Sequence, residues 1–405
     1  MSRAVPRVAV LGAGIMGSAT ALFLARLGMD VTVVDEAPAP FTGASRWNEG
    51  KIHLGFLYAG DPTGATAVKL LPAGLAFKAL TEELIGTALG GHVTPTDDIY
   101  LVHRRSVVPA AAVEEHLSTV AGRAGEHPEA GGYLVDVSRC RVRALARGEI
   151  AAIANADEVV AGFAVPERSV ETTWVADRFV EALADETRIA PAMNTRVAGV
   201  RPAADGGWQV DCRPPVAARF DAVVNALWHG APAVDATVGL APAAAWSHRF
   251  RLALFVRAAP DVAAPSAVLV TGPFGDIKNY GGGRFYLSWY DAGLVAEGRG
   301  LAPPPLPVLD APARERVGTA IVAELGARIP AARHVVAAAV ETRLEGGWVF
   351  AVGEGSLADR DATLHRRDRF GVRRRGTYFS VDPGKYSTAP WLARRIADAV
   401  AAALG

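Results

Sequence analysis

Short apolar runs and their spacing outline the chain. Val8 to Leu11 is apolar and is followed at once by Gly12-Ala13-Gly14-Ile15-Met16-Gly17. Ser18 to Leu27 carries apolar residues at helical spacing, Gly28 closes it, and a second apolar run, Val31 to Val34, ends in Asp35-Glu36. This pattern predicts strand, turn, helix and strand. β-Branched runs predict further strands at Asp98 to His103, Thr195 to Val200, Trp208 to Cys212 and Ala218 to Ala226, the last two paired with each other. More follow at Arg251 to Val256, Arg284 to Trp289, Val335 to Arg343, Trp348 to Val352 and Gly376 to Val381. Helices are predicted at Ala65 to Leu84, Ala110 to Ala121, Trp174 to Thr187, Arg314 to Ala327 and Thr388 to Leu404. Pro-rich Leu301 to Pro312 reads as a linker or exposed turn.

The order of elements predicts an α/β protein. A dinucleotide-binding domain of Rossmann type, at 1–90, 150–240 and 345–405, is interrupted twice by an α+β substrate domain at 91–149 and 241–344, built on a mostly antiparallel sheet. The chain has 405 residues, enough for two large domains. Its 42 basic and 42 acidic residues balance, which leaves no electrostatic footprint for nucleic acid or a membrane surface. No apolar stretch reaches the length of a membrane span, and the N-terminus lacks the features of a signal peptide. Cys140 and Cys212 lack metal-ligand spacing and read as reduced thiols. A cytoplasmic protein is the expectation.

Within the glycine turn each position has a mechanical task. Gly12 permits the tight turn, Gly14 lets backbone approach a pyrophosphate, and Gly17 lets the helix pack on the strand. Ile15 and Met16 open the helix, whose bare N–H groups and positive dipole end face phosphate. Asp35, with Glu36 beside it, sits about 20 residues on, where a carboxylate accepts from an adenosine ribose. No arginine follows it closely, which argues against NADP. The turn alone leaves NAD and FAD open.

Phe41 to Tyr58 separates them. Ala44-Ser45-Arg46 leads into Asn48-x-Gly50-x-Ile52-His53-x-Gly55-x-x-Tyr58. This series resembles the second flavin-contacting loop of the D-amino acid oxidase-like FAD oxidoreductases, which include glycine and sarcosine oxidases, glycerol-3-phosphate dehydrogenase and L-2-hydroxyglutarate dehydrogenase. It is closest to the hydroxyglutarate branch. The resemblance implies a glutathione-reductase-like FAD domain. Ala44, Ser45 and Arg46 would lie near phosphate or ribose, and Lys51, Ile52 and His53 near the flavin. Thr195 to Val200 and Phe220 to Ala226 resemble the family's paired strands, with Val197 against adenine and Asn225, Ala226 and Leu227 beside the cofactor. Leu227-Trp228-His229 departs from the small residues usual there. Ser380 to Ala393 resembles the family's C-terminal turn. Gly384, Lys385, Tyr386, Ser387 and Thr388 would meet the pyrimidine end of the flavin, with Ser387 or Thr388 capping the last helix.

Several residues carry both a functional and a plain reading. His53 is a flavin neighbour, a base, a covalent attachment point, or a hydrogen-bonded loop histidine. Arg284, Tyr286, Ser288 and Tyr290 alternate onto one strand face, which would roof the flavin and touch substrate or simply be covered. Arg343 matches the family's carboxylate-gripping arginine, or is a surface partner of Glu341 or Glu345, with Arg249 and Arg251 as rivals. Tyr386 and Lys385 belong to the flavin turn or face solvent. The basic run His365 to Arg375 reads as a solvated loop, or as a contact to an anionic substrate or the cofactor's adenosine.

The resemblance implies an FAD-dependent enzyme that moves hydride from the C–N bond of an amino acid or amine to flavin N5, with oxygen as acceptor. His53, Lys51 and Tyr286 would be catalytic; Arg343, Arg284, Tyr290 and Tyr386 would bind substrate. A positive group, Lys51 or His53, would favour the reaction with oxygen. Three alternatives stay open: a 2-hydroxy acid dehydrogenase using His53 as base, a flavin-dependent N-oxygenase, and a non-catalytic FAD-binding subunit.

Overall fold

The computed structural model describes residues 4–216, 219–240 and 244–405. Among these, strands form a six-stranded sheet, a nine-stranded sheet and two two-stranded ribbons. The first sheet runs, in space, Gly371–Arg375, Tyr378–Asp382, Ala222–Asn225, Arg7–Leu11, Asp30–Val34 and Ile189–Ala192. All its neighbours are parallel except the edge strand Gly371–Arg375. Arg7–Leu11 is apolar without alternation because both of its faces are covered. Val8 and Val10 pack into a core that contains the helices Ile15–Arg26 and Ala389–Leu404. Ala9 and Leu11 pack on the other face with Trp208, Phe220 and Val234.

The nine-stranded sheet is antiparallel apart from the pair Asp98–His103 and Ala267–Val270. Its longest contact joins Trp246–Ala258 to Ala339–Val352. One face buries Leu254, Phe285, Leu287 and Trp289 under the helix Ala311–Arg328, through Ile321 and Leu325. The opposite face carries Asp98, Tyr100, Lys278, Tyr286, Ser288, Arg249 and Arg251, and it is buried or half-buried rather than wet.

Four expectations need correction. Val159–Val165 is hydrogen-bonded to Asp98–His103, and Ala339–Val352 runs past 344, so strands of the second sheet extend into segments expected to belong to the nucleotide domain. Val335 to Arg343 is not one strand: Ala331–Ala337 is helical, because Ala332 and Val335 share one face and bury together, and the strand starts at Ala339. Trp208–Arg213 pairs with Arg196–Pro202, and meets the Phe220 segment only through the Trp208–Phe220 bridge. The expected start of that segment, Ala218, lies outside the described residues, and its regular part is Ala222–Asn225. The remaining helices fall where the apolar spacing puts them, from Ala65–Ile85 to Ala389–Leu404. No described helix is long and apolar enough to cross a membrane.

Candidate active site

Parallel strands place their carboxyl ends on one edge, so the loops that follow them converge. Leu11 stands level with Val34 on one side and Asn225 on the other, and Asn225 stands level with Ser380. The glycine turn, Asp35, Ala226-Leu227 and the Pro383 to Thr388 turn therefore emerge along one rim. Gly12 has φ +100°, and a β-carbon there would lie 2.6 Å from the Ala226 carbonyl oxygen. Asp35 accepts from the N–H of Ala13 at 2.7 Å and of Ala37 at 2.9 Å. Ser45 Oγ accepts from the N–H of Ile15 at 3.0 Å, so the second loop reaches the helix tip. Thr195 N–H donates to the Asp35 carbonyl at 2.8 Å, which fixes the strand bearing Val197 beside the acid.

Several of these residues have tasks the sequence did not disclose. Asn225 is wholly buried and its amide donates to Asp235 (2.9 Å), Tyr378 (2.9 Å) and the Ala231 carbonyl (3.1 Å). Its side-chain oxygen accepts from Leu227 N–H at 3.2 Å, so this side chain shapes the turn from within the fold. Glu36 is exposed and faces Arg196. Arg46 pairs with Asp177 at 2.6 Å and holds the Phe41 carbonyl. Asn48 ties Ala44 O to Gly50 N at 2.8 Å each, which sets the loop leading to Lys51.

At the C-terminal turn Gly384 has φ +68°, and a β-carbon there would strike Phe370. The expected cap is absent. Thr388 Oγ1 donates backwards to the carbonyls of Pro383 and Lys385, leaving the helix tip without a side-chain acceptor. Ser387 Oγ and Tyr386 OH are buried there without a partner, as is Nδ1 of His53. Buried polar atoms without partners are uncommon in folded proteins. A polar group bound at this helix tip, which packs against the Lys51–Ile52 strand, would offer partners there, and the ring of a flavin with its N–H and carbonyl edge fits that need.

Above this rim stands the charged face of the second sheet. Lys51 and Lys278 both bond to Asp98, Lys278 at 2.7 Å to each oxygen, and all three are buried. Tyr100 donates to Glu167 at 2.5 Å, and Glu167 accepts from Leu54 N–H at 2.7 Å. Burial opposes the charge on Lys51, but Asp98 and Glu167 outweigh it and hold the ammonium form firmly. On Lys278 burial wins over Asp98, with Lys51 adding repulsion, and its pKa is lowered. His53 is 1% exposed; burial first, then Lys385, Lys51 and Lys278, push its pKa far down. It is a neutral imidazole near pH 7, so the role of a positive group near the flavin does not fall to it.

Arg249, 2% exposed, donates to the Tyr290 hydroxyl, and the Arg251 guanidinium lies 4.2 Å over the Tyr290 ring. These residues alternate with Ala253 and Phe255 on the inner face, where Phe255 meets Tyr286 edge-on at 5.3 Å between ring centres. Arg367 and Lys385 approach from the C-terminal segment, with Lys385 5.6 Å from the Tyr58 ring centre. The basic run is thus not a solvated loop: Arg367 is half-buried, and Gly371–Arg375 is a strand whose Arg373 reaches Asp235.

Arg343 and Arg284 stand elsewhere. Arg343 is exposed at the sheet edge and bonds to Glu341 at 2.7 Å, two residues along the same face. Arg284 lies 3.4 Å from Glu171 and donates to the Gly91 carbonyl at 3.1 Å. Both border an outer cleft of about 280 Å³ together with Arg46 and Trp47. Phe255 separates this cleft from Tyr286, meeting Trp47 edge-on on one side. The inner residues that sequence reasoning missed are Lys278, Asp98, Glu167 and Arg367. Only Asp98, a charge opening the largely apolar strand Asp98–His103, left a hint in the sequence.

Solved structures share this fold along nearly its whole length. Glycine oxidase from Geobacillus kaustophilus superposes with a TM-score of 0.68 at 18% identity, over 98% of this chain and 95% of that one. L-alpha-glycerophosphate oxidase from Mycoplasma pneumoniae, solved with FAD bound, gives 0.66 at 15% identity over 98% and 95%. Iminodiacetate oxidase from Chelativorans sp. BNC1 gives 0.63 at 17% identity over 98% and 95%. Residues 7–399 match the family described as FAD dependent oxidoreductase. This chain belongs to that family of FAD dependent oxidoreductases.

Proposed function

We propose that the protein oxidises the C–N bond of a small amino acid or related amine, with oxygen as the final acceptor. The supporting observation is the positive field around His53. Burial first, and then Lys385, Lys51, Lys278 and Arg367, suppress protonation of that imidazole. The same field disfavours an ammonium on a substrate bound beside it and favours the neutral amine. A neutral amine has the lone pair that the loss of hydride from the adjacent carbon requires. FAD, when bound, supplies the hydride acceptor.

The chain's own groups then have separate tasks. Arg249 and Tyr290 hold a carboxylate, because a guanidinium with two unpartnered nitrogens, Nε and Nη2, is set for charge-assisted bonds. Phe255, Tyr286 and Tyr280 wall the space from the outer cleft and limit water. The helix that starts at Ala389, which no side chain caps, turns a positive dipole end toward charge developing on the cofactor. His53, neutral and with Nδ1 free, positions the amine by hydrogen bonding. The imine that results is hydrolysed by water.

Oxidation of a 2-hydroxy acid is the second reading, favoured by that same free Nδ1, since a hydroxyl needs a base to accept its proton. Mixing the flavoprotein anaerobically with amino acids, amines and 2-hydroxy acids decides between them. Bleaching of the flavin by an amine or amino acid is expected. Bleaching by hydroxy acids alone refutes the C–N reading.

A further inference from the structure

Four cations gather at one end of the site with no counter-ion. Among the described residues, neither Arg249, Arg251, Arg367 nor Lys385 lies within ion-pair distance of a carboxylate. Arg249 Nε, Arg249 Nη2 and Arg251 Nε are buried and unpartnered. Tyr290 links the two sheet arginines, one through its hydroxyl and one through its ring.

Their charges act on one another. Burial, then Arg249, lowers the Arg367 pKa to about 10. Burial, then Arg367, with Arg249 and Arg251 further along, lowers that of Lys385 to about 8. The acids nearby are Glu49, which acts on Lys385, Asp382, which acts on Arg367, and Asp291, on which Arg251 acts. Burial pushes Asp382 up to about 6 and raises Asp291 as well, and among the described residues neither carboxylate is ion-paired with any of the four cations. Unpaired buried charge is expensive, and a ligand that supplies the missing anions relieves it. A single α-carboxylate engages one guanidinium fork. With the Arg249 fork taken by that carboxylate, Arg251, Arg367 and Lys385 remain.

We infer that Arg251, Arg367 and Lys385, beyond the Arg249 fork, form a subsite for a second anionic group, and that the substrate is a doubly acidic amine: an amino dicarboxylate, or an amino acid bearing a phosphonate. This rests on the C–N reading for the reaction, but not for the binding.

The test separates the two. Dissociation constants for unreactive malonate, maleate, acetate and propionate are measured on the FAD-loaded protein, at constant ionic strength, from perturbation of the flavin spectrum. Dianions are expected to bind at least about tenfold more tightly than monoanions. That preference should collapse in Arg251→Gln and in Arg367→Gln, each checked for retained FAD. Equal affinity for mono- and dianions in the unaltered protein overturns the subsite, as does a preference that survives both replacements. Iminodiacetate, aspartate and N-(phosphonomethyl)glycine are then compared with glycine and sarcosine for anaerobic bleaching. Faster bleaching by a dicarboxylate or by the phosphonate supports the subsite and says which acid it takes. Tight dianion binding with no bleaching by any amine leaves the subsite standing and removes the C–N reading. Equal bleaching by mono- and diacids with no dianion preference does the reverse.

Discussion

A β-carbon on Gly17 would stand 1.8 Å from the carbonyl oxygen of Gly12. The first turn of the helix Ile15–Arg26 lies directly on the glycine turn, and nothing flexible separates them. Gly17→Ala must therefore push the helix off the strand, at a cost of about 1–3 kcal/mol. Gly14 is different: its β-carbon would meet only Ser45 Oγ, at 2.8 Å, and a side chain can rotate away. Gly14→Ala is expected to leave the melting temperature of the apoprotein nearly unchanged while reducing FAD retention on gel filtration. Gly17→Ala should lower both. If both variants melt alike, the distinction between packing and cofactor approach is wrong.

Arg343→Ala should alter KM for an acidic substrate by less than about threefold, since its exposed bond to Glu341 is worth about 0–1 kcal/mol at most. Arg249→Gln should raise KM by at least about tenfold, because it removes a buried fork aimed into the site. Steady-state kinetics on the two variants, each with FAD content checked, tests the order.

Acidification below neutrality should destabilise the protein. The pKa values of His53, His103, His116, His229 and His248 are all lowered in the fold, in each case by burial first, and that of His229 falls to about 4. The unfolded chain takes up those protons first, so stability is complete above about 6.5 and is lost as pH falls below it. Asp382, raised to about 6, works the other way below that pH, as do Asp276 and Asp291, whose pKa values burial also raises, which leaves three groups against five. Urea titrations at pH 7 and 5.5 should show the loss, and His229→Gln should lessen it by up to about 1.4 kcal/mol per pH unit. An unchanged slope in that variant would show that His229 is not held neutral.

Dianion affinity should fall as pH rises through about 8, where Lys385 loses its proton. Arg367, Arg249 and Arg251 depress this ammonium and Glu49 supports it. In Lys385→Met the binding curve should be weaker and flat from pH 7 to 9. Spectral titrations of malonate across that range provide the measurement.

Asp98→Asn should be among the most destabilising single changes, at about 3–5 kcal/mol, because two buried ammonium groups would lose their shared carboxylate. Chemical denaturation of the apoprotein reads this without reference to activity.

Much of the nucleotide-binding edge is legible in the sequence because its parts are local. Gly12, Gly14, Gly17 and Asp35 fall within one strand-turn-helix-strand unit, whose spacing fixes their geometry. The inner face of the large sheet is not local. Lys51 meets Asp98 and Lys278 only after strands from three parts of the chain assemble. Arg249 and Arg343 look equivalent along the chain, each an arginine in a long strand. What separates them is that Trp246–Ala258 is paired on both sides, whereas Ala339–Val352 lies at the sheet edge. Asn225 misleads for a similar reason: its position beside the rim is readable, but its amide is claimed by Asp235, which lies on a helix ten residues further on.

The strand Tyr378–Asp382 delivers the turn that completes the site, and it docks on Ala222–Asn225 across a long stretch of intervening chain. A chain lacking this strand exposes the flank of Ala222–Asn225 and one open side of the cleft. The yellow colour of a preparation thereby reports that this strand has docked.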